Sequence, residues 1–168
     1  LSIRRQRQMC IRDRFEGLAA RYVADGVENA ADGAAQAAIG RIRLTSDLAE
    51  AAASADLIIE AVPENLELKQ GIYRTLADAA PATTIFATNS STLLPSALAE
   101  STGRPDRFLA LHFANEIWSH NTAEVMGTPA TDPAVYDAMV EFATRIGMVP
   151  IQIKKEKAGY LSLIHISE

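Results

Sequence analysis

One cysteine, Cys10, in 168 residues cannot close an internal disulfide, and no pairing of Cys with His at structural-zinc spacing exists, so both common staples of small secreted domains are absent. A reducing, cytoplasmic compartment is the expectation, with no metal centre. No apolar run approaches the roughly 20 residues that a spanning helix needs, and no membrane partner is expected. Positive charge is short as well: 16 Lys and Arg against 21 Asp and Glu leave a net charge of −5, and aromatics make up 6%. A basic stripe with interleaved aromatics is therefore missing, and nucleic acid is not an expected partner. What remains is an ordinary globular composition, 48% hydrophobic and 22% charged, in a chain long enough for one domain with a core.

The charge is unevenly placed. Arg4, Arg5, Arg7, Arg12 and Arg14 fall in the first fourteen residues with only Asp13 to oppose them, so the remainder carries the chain's −5 less the leader's +4, or −9. An Arg-rich, acid-poor leader suits an organellar targeting peptide. The strings Met9-Cys-Ile-Arg-Asp-Arg14 and Leu161-Ser-Leu-Ile-His-Ile-Ser-Glu168 also look like translated adapter sequence, and this second reading is preferred. The expected organisation is a leader over 1–14, a domain over 15–160 and an unrelated tail over 161–168.

Within the domain, Phe15, Leu18, Ala19 and Tyr22 recur at helical spacing before Gly26, and Ala34 to Ile39 read as a second helical piece. Ile42–Thr45 reads as a short strand, followed by a helix opened by Ser46 or Asp47 and running through Ala55. Asp56–Val62 is apolar enough for a parallel strand covered on both faces. Pro63 is expected to begin the next helix, with Leu68, Ile72, Leu76 and Ala79 as its apolar stripe. Thr84–Thr88 is a strand ending in the polar turn Asn89-Ser-Ser-Thr92, and a short helix near Pro95 follows. Two strands then carry His112 and Glu124. Asp132 and Pro133 open a helix whose Val135, Met139, Phe142 and Ile146 share a face, and Pro150 marks Met148–Lys154 as a sheet-edge strand. Strands alternating with helices give an α/β class with a mostly parallel sheet and flanking helices.

On motif logic the ligand stays unknown. Dinucleotide-binding α/β folds carry G-x-G-x-x-G after their first strand, where bare backbone approaches a pyrophosphate, yet none of the nine glycines here falls two from another. Four blocks point further: Ala55-Asp-Leu-Ile-Ile-Glu-Ala-Val-Pro-Glu-Asn65, Ile85-Phe-Ala-Thr-Asn-Ser-Ser91, Asp106-Arg-Phe-Leu-Ala-Leu-His-Phe-Ala-Asn115 and Ala123-Glu-Val-Met126. With these blocks in this order, the stretch from about Arg41 to Tyr160 resembles the nucleotide-binding domain of L-3-hydroxyacyl-CoA dehydrogenases.

The resemblance implies an incomplete Rossmann-like, doubly wound domain that uses NAD. The implied activity is oxidation of (S)-3-hydroxyacyl-CoA to 3-oxoacyl-CoA, as in fatty acid β-oxidation. It makes His112 the catalytic base and Glu124 its partner, and it sets Ser91 and Asn115 against the reacting oxygen and the nicotinamide end. Glu64 and Lys69 match positions beside the cofactor's ribose and nicotinamide. The chemistry suits these residue types: a neutral imidazole takes a hydroxyl proton near pH 7 while hydride leaves the same carbon, a carboxylate fixes its tautomer, and hydroxyl and amide donors hold the oxygen. In the family a helical second domain brings substrate contacts and homo-oligomerisation, and the isolated 168-residue chain is expected to be inactive.

Plainer readings stand beside these. His112 suits a structural strand residue, Ser91 and Asn115 suit turns, Glu64 a helix's first turn, and Lys69 a solvated helix face. Trp118 and His120 read as loop residues. After the histidine this chain has Phe113-Ala-Asn-Glu-Ile-Trp118, where the family often has a second aromatic and then Asn-Pro. Leu163 stands where a substrate-contacting asparagine is expected. A dehydrogenase of carnitine or a sugar acid, and a non-catalytic α/β interaction module, remain the alternatives.

Overall fold

The computed structural model describes residues 3–27 and 30–157. The expected tail with Leu163, and the segment Ala158 to Tyr160, lie outside the described residues. Two compact units divide the chain, Leu1–Ser46 and Asp47–Glu168.

The first unit holds α1 (Ile3–Ala24) and α2 (Ala34–Gly40). Helix α1 begins well before Phe15 and takes in most of the Arg-rich leader, because Arg and Gln are strong helix formers and neither Gly nor Pro interrupts residues 3–16. It stops where expected: Gly26 takes a left-handed φ of 68°, its N–H donating to Val23 O at 3.2 Å and that of Val27 to Tyr22 O at 2.9 Å. The strand expected over Ile42–Thr45 does not form. Among the described residues no neighbouring strand takes up its N–H and C=O groups, and a strand without a ladder is not stable.

The second unit is a five-stranded sheet in the order β1 (Leu57–Glu60), β2 (Ile85–Thr88), β3 (Phe108–Phe113), β4 (Thr122–Gly127), β5 (Val149–Ile153). β1, β2 and β3 run parallel, β4 turns back antiparallel to β3, and β5 runs parallel to β4. Pro150 sits on the edge strand β5, as its missing N–H requires. Among the described residues β1 forms the other edge; its Ile58 packs into the core on one face and its Leu57 into that on the other, as expected of a strand covered on both faces, while Ile59 is 37% exposed.

Asp47 caps α3 (Leu48–Ala52) by accepting from Glu50 N at 3.0 Å, and the helix ends short of Ala55. Helix α4 (Leu66–Ala79) starts at the N-cap Asn65, whose Oδ1 accepts from Leu68 N at 2.9 Å, so Pro63 precedes the helix instead of opening it. Its buried residues are Lys69, Tyr73 and the expected Leu76, with Ile72 and Ala79 packed against the same core as expected, whereas Leu68 is 43% exposed. Beyond β2 lies the short α5 (Ser96–Ala99). In α6 (Pro133–Arg145), capped by Asp132, Val135 and Met139 are buried as expected, with Ala143 in place of Ile146.

Alternation along the strands feeds two cores. Phe86 and Phe108 meet Tyr73, Leu76 and Leu98 on one face, while Ala87, Leu109, Leu111 and Val125 meet Val135 and Met139 on the other. Tyr73 packs edge-on to Phe108 at 5.3 Å between centroids, and the Arg104 guanidinium lies 4.9 Å over the Phe86 ring. Both layers leave the C-terminal ends of β1, β2 and β3 at one end of the sheet.

Candidate active site

His112 and Glu124 are directly opposite each other in the antiparallel β3–β4 ladder. Their side chains leave the same face, as cross-strand partners must, and His112 Nδ1 lies 2.8 Å from Glu124 Oε2. His112 is 8% exposed and Glu124 2%. An ionised carboxylate only accepts, so Nδ1–H is the donor and the basic lone pair is on Nε2. Asn89 secures this end of β3: its Oδ1 accepts from Phe113 N at 3.0 Å while its own N–H donates to Glu60 O at 2.8 Å.

Beside the pair, a connected set of buried polar groups joins the ends of β1 and β2. Glu60 accepts from Val62 N and Lys69 Nζ at 2.7 Å each through Oε1, and from Thr88 Oγ1 at 2.9 Å through Oε2. Lys69 is 1% exposed, and its ammonium also donates to Val62 O at 3.1 Å and pairs with Glu64 Oε2 at 3.3 Å. Glu64 Oε1 in turn accepts from the Ser90 hydroxyl, from Thr92 N at 3.0 Å and Thr92 Oγ1 at 2.8 Å, and from Leu93 N at 3.3 Å. Burial pushes the Glu64 carboxyl upward, but the hydrogen bonds from Ser90 and Thr92 and the Lys69 charge outweigh it and bring its pKa from 4.5 down to about 2.

The six residues singled out in the sequence thus fall at one end of the sheet. Glu64 follows β1, Ser91 follows β2, Asn115 follows β3, and His112 and Glu124 lie on the ladder beside them. Lys69 differs from the others: its ammonium faces protein oxygens, and its reach toward a ligand is through Glu64. The turn's cap is Ser90, not Ser91, since the Ser90 hydroxyl accepts from Leu93 N at 3.1 Å. Ser91 and Asn115 make no side-chain hydrogen bond among the described residues. Trp118 and His120 lie in the loop between β3 and β4 as expected, where Glu116 takes a positive φ of 53°. Sequence reasoning missed Glu60 and Asn89. A cleft of about 650 Å³ lined by Gly127, Tyr136 and Ile153 opens at the opposite end, and it has no part in this arrangement.

Residues 3–157 match the family described as 3-hydroxyacyl-CoA dehydrogenase, NAD binding domain. This chain belongs to that family. It is 35% identical over 125 residues to the mitochondrial hydroxyacyl-coenzyme A dehydrogenase of Rattus norvegicus, covering 74% of this chain and 40% of the relative. Against an L-carnitine dehydrogenase of a Pseudomonas species the identity is 33% over 129 residues, covering 77% and 40%. A diketoreductase, solved in work on substrate-directed dual catalysis of dicarbonyl compounds, superposes with a TM-score of 0.90 at 63% identity, over 94% of this chain and 55% of that one. The chain therefore spans about two fifths of the length of these curated relatives.

NAD is the cofactor that family membership indicates. Ligands of open α/β sheets bind outside the carboxyl ends of the strands, where Glu64, Ser91, Asn115 and His112 stand. Hydroxyl, amide and carboxylate groups there suit a ribose and a carboxamide, so these residues fit the nicotinamide half. A pyrophosphate asks for closely spaced bare backbone N–H groups, and the glycines of this sequence are nowhere two apart.

Proposed function

We propose that this chain carries the proton-transfer site of an NAD-linked dehydrogenase of 3-hydroxy compounds, with a 3-hydroxyacyl-CoA as substrate. The observation that supports it is the buried 2.8 Å His112–Glu124 pair at the cofactor end of the sheet. His112 Nε2 takes the proton from the substrate's hydroxyl in the oxidative direction and returns it to the carbonyl oxygen in the reductive one. Glu124 keeps Nδ1 protonated and stabilises the imidazolium as it forms. Ser91 Oγ and the Asn115 amide donate to the reacting oxygen, and Glu64 and Asn115 would hold the nicotinamide ribose and carboxamide. Bound NAD supplies the hydride acceptor.

A second substrate reading has a specific observation behind it. Identity to the diketoreductase is 63%, against 35% to the rat acyl-CoA enzyme. Ala114 and Glu116, beside the site, also put a small side chain and a carboxylate where the acyl-CoA family often has an aromatic and a proline. A dicarbonyl compound without CoA is the substrate this favours.

NADH oxidation by an active protein containing this sequence, followed across 3-oxoacyl-CoA thioesters, free dicarbonyl esters and carnitine-derived ketones, tests both readings. Turnover highest on thioesters supports the first, and turnover highest on free dicarbonyls the second. No turnover on any of them would overturn the dehydrogenase proposal.

A further inference from the structure

We propose that Glu60 is a positioning residue for the reaction assigned above, its buried carboxylate acting through Lys69 and Glu64 to hold the turn that carries Ser91. The functional part of this rests on the dehydrogenase reading, whereas the clamp itself rests on geometry alone. Glu60 lies at the last position of β1 and is 4% exposed. Both of its oxygens are occupied, Oε1 by Val62 N–H and Lys69, Oε2 by the Thr88 hydroxyl and, at 3.3 Å, the Tyr73 hydroxyl. These donors come from the loop after β1, from α4 and from β2, so one carboxylate fixes three segments of chain.

A buried ammonium between two carboxylates is a costly way to pack a strand against a helix, and apolar residues of similar volume would do that as well or better. They could not hold Glu64. With Glu60 in place, Lys69 is shared: it lies 2.7 Å from Glu60 and 3.3 Å from Glu64. Glu64 therefore keeps Oε1 for Ser90, Thr92 and Leu93, the residues on either side of Ser91. Removing the Glu60 charge leaves Lys69 with Glu64 as its sole anion. The Glu64 carboxylate is then drawn fully onto the ammonium, and the turn loses its acceptor. A hydroxyl that must meet a developing carbonyl oxygen depends on such support, because small displacements from productive geometry are costly. The Ser90 N–H, donated to Thr88 Oγ1 at 3.1 Å, ties the turn to the same carboxylate by a second route.

Amide hydrogen exchange by NMR on the 168-residue chain tests this without cofactor or substrate. Glu60→Gln keeps the shape and removes the charge. It should speed exchange at Thr92 and Leu93 on the order of tenfold relative to Leu109 and Val125 in the sheet, the value of about one charge-assisted hydrogen bond. Tyr73→Phe keeps the core ring and the charge while removing a hydroxyl shared between Glu60 Oε2 and Ala87 O, and it should give a smaller increase at the same two amides. It carries the test if Glu60→Gln does not fold. Unchanged protection at Thr92 and Leu93 in the folded variants, or a loss spread evenly over the sheet, would overturn the proposal. Neither outcome touches the assignment of His112, whose failure would appear in turnover.

Discussion

Glu124 Oε2 lies 2.8 Å from His112 Nδ1 across a ladder in which the two residues are direct partners. That relationship needs no loop to set it, because the β3–β4 register delivers both side chains to one face. A base whose tautomer is fixed by a strand-to-strand contact is held on rigid elements at both ends.

In an active enzyme with this sequence, His112→Gln should lower kcat by roughly 10²- to 10⁴-fold, the usual loss for a general base, with little change in cofactor affinity. Glutamine still offers an N–H to Glu124, so the fold should tolerate it. Steady-state kinetics checks this, and near-normal turnover would remove His112 from the mechanism.

Glu124→Gln should also reduce kcat, by about 10²-fold or more, with KM much less affected. The neutral amide neither favours protonation at Nδ1 nor stabilises the imidazolium. Comparable losses in kcat for the two single variants and for the double variant would show that the residues act as a unit. Additive losses would separate them.

How much of this was visible in the sequence differs by residue. His112 and Glu124 were legible as residues of two successive strands, and the family resemblance, not the spacing alone, singled them out as a pair. Lys69 was legible in place but not in burial: its charge suggested a solvated face, yet it is 1% exposed. Ile72, Leu76 and Ala79 still meet the core as the stripe required, and only Leu68, at the first turn, faces out. Glu60 was hidden inside an apolar run, and nothing local in the sequence says that a lysine nine residues later will neutralise it. Pro63 suggested a helix start, yet the capping oxygen of Asn65 sets the first helical residue at Leu66, three residues on. Ile42–Thr45 has strand composition, but among the described residues no strand pairs with it, and pairing is not a local property.

Acid should loosen the Ser90–Leu93 turn before it unfolds the sheet. Glu64 has its pKa lowered from 4.5 to about 2, so its stabilisation is complete above the unfolded value and is lost as pH falls through the folded one. The window runs from pH 4.5 down to about 2. Exchange at the Thr92 and Leu93 amides, followed over that range, should rise in the wild type and be already fast and nearly pH-insensitive, after correction for intrinsic rates, in Glu64→Gln. A flat wild-type profile would show that Glu64 does not hold the turn.

Phe86→Ala should destabilise the second unit by about 3–5 kcal/mol. The ring is fully buried, lies 5.9 Å from that of Tyr73 and sits beneath the Arg104 guanidinium. Its removal leaves a cavity that fixed strands on both sides cannot close. Denaturant unfolding followed by circular dichroism measures the loss, and a change below about 1 kcal/mol would mean that the layer collapses around the gap.

The last expectation concerns the 168-residue chain on its own. Dinucleotide affinity in such folds draws heavily on backbone N–H groups gathered at a glycine-rich turn and a helix N-terminus facing the pyrophosphate. The glycine spacings here offer no such turn, while Glu64, Ser91 and Asn115 address only the nicotinamide half. Lys69 adds no direct charge to a phosphate, since its ammonium is committed to Glu60, Val62 O and Glu64. The isolated chain should therefore bind NADH no better than millimolar, about −4 kcal/mol, and show no measurable dehydrogenase activity. Calorimetric titration decides the point. Micromolar binding would mean that another backbone segment of this chain supplies the phosphate contacts.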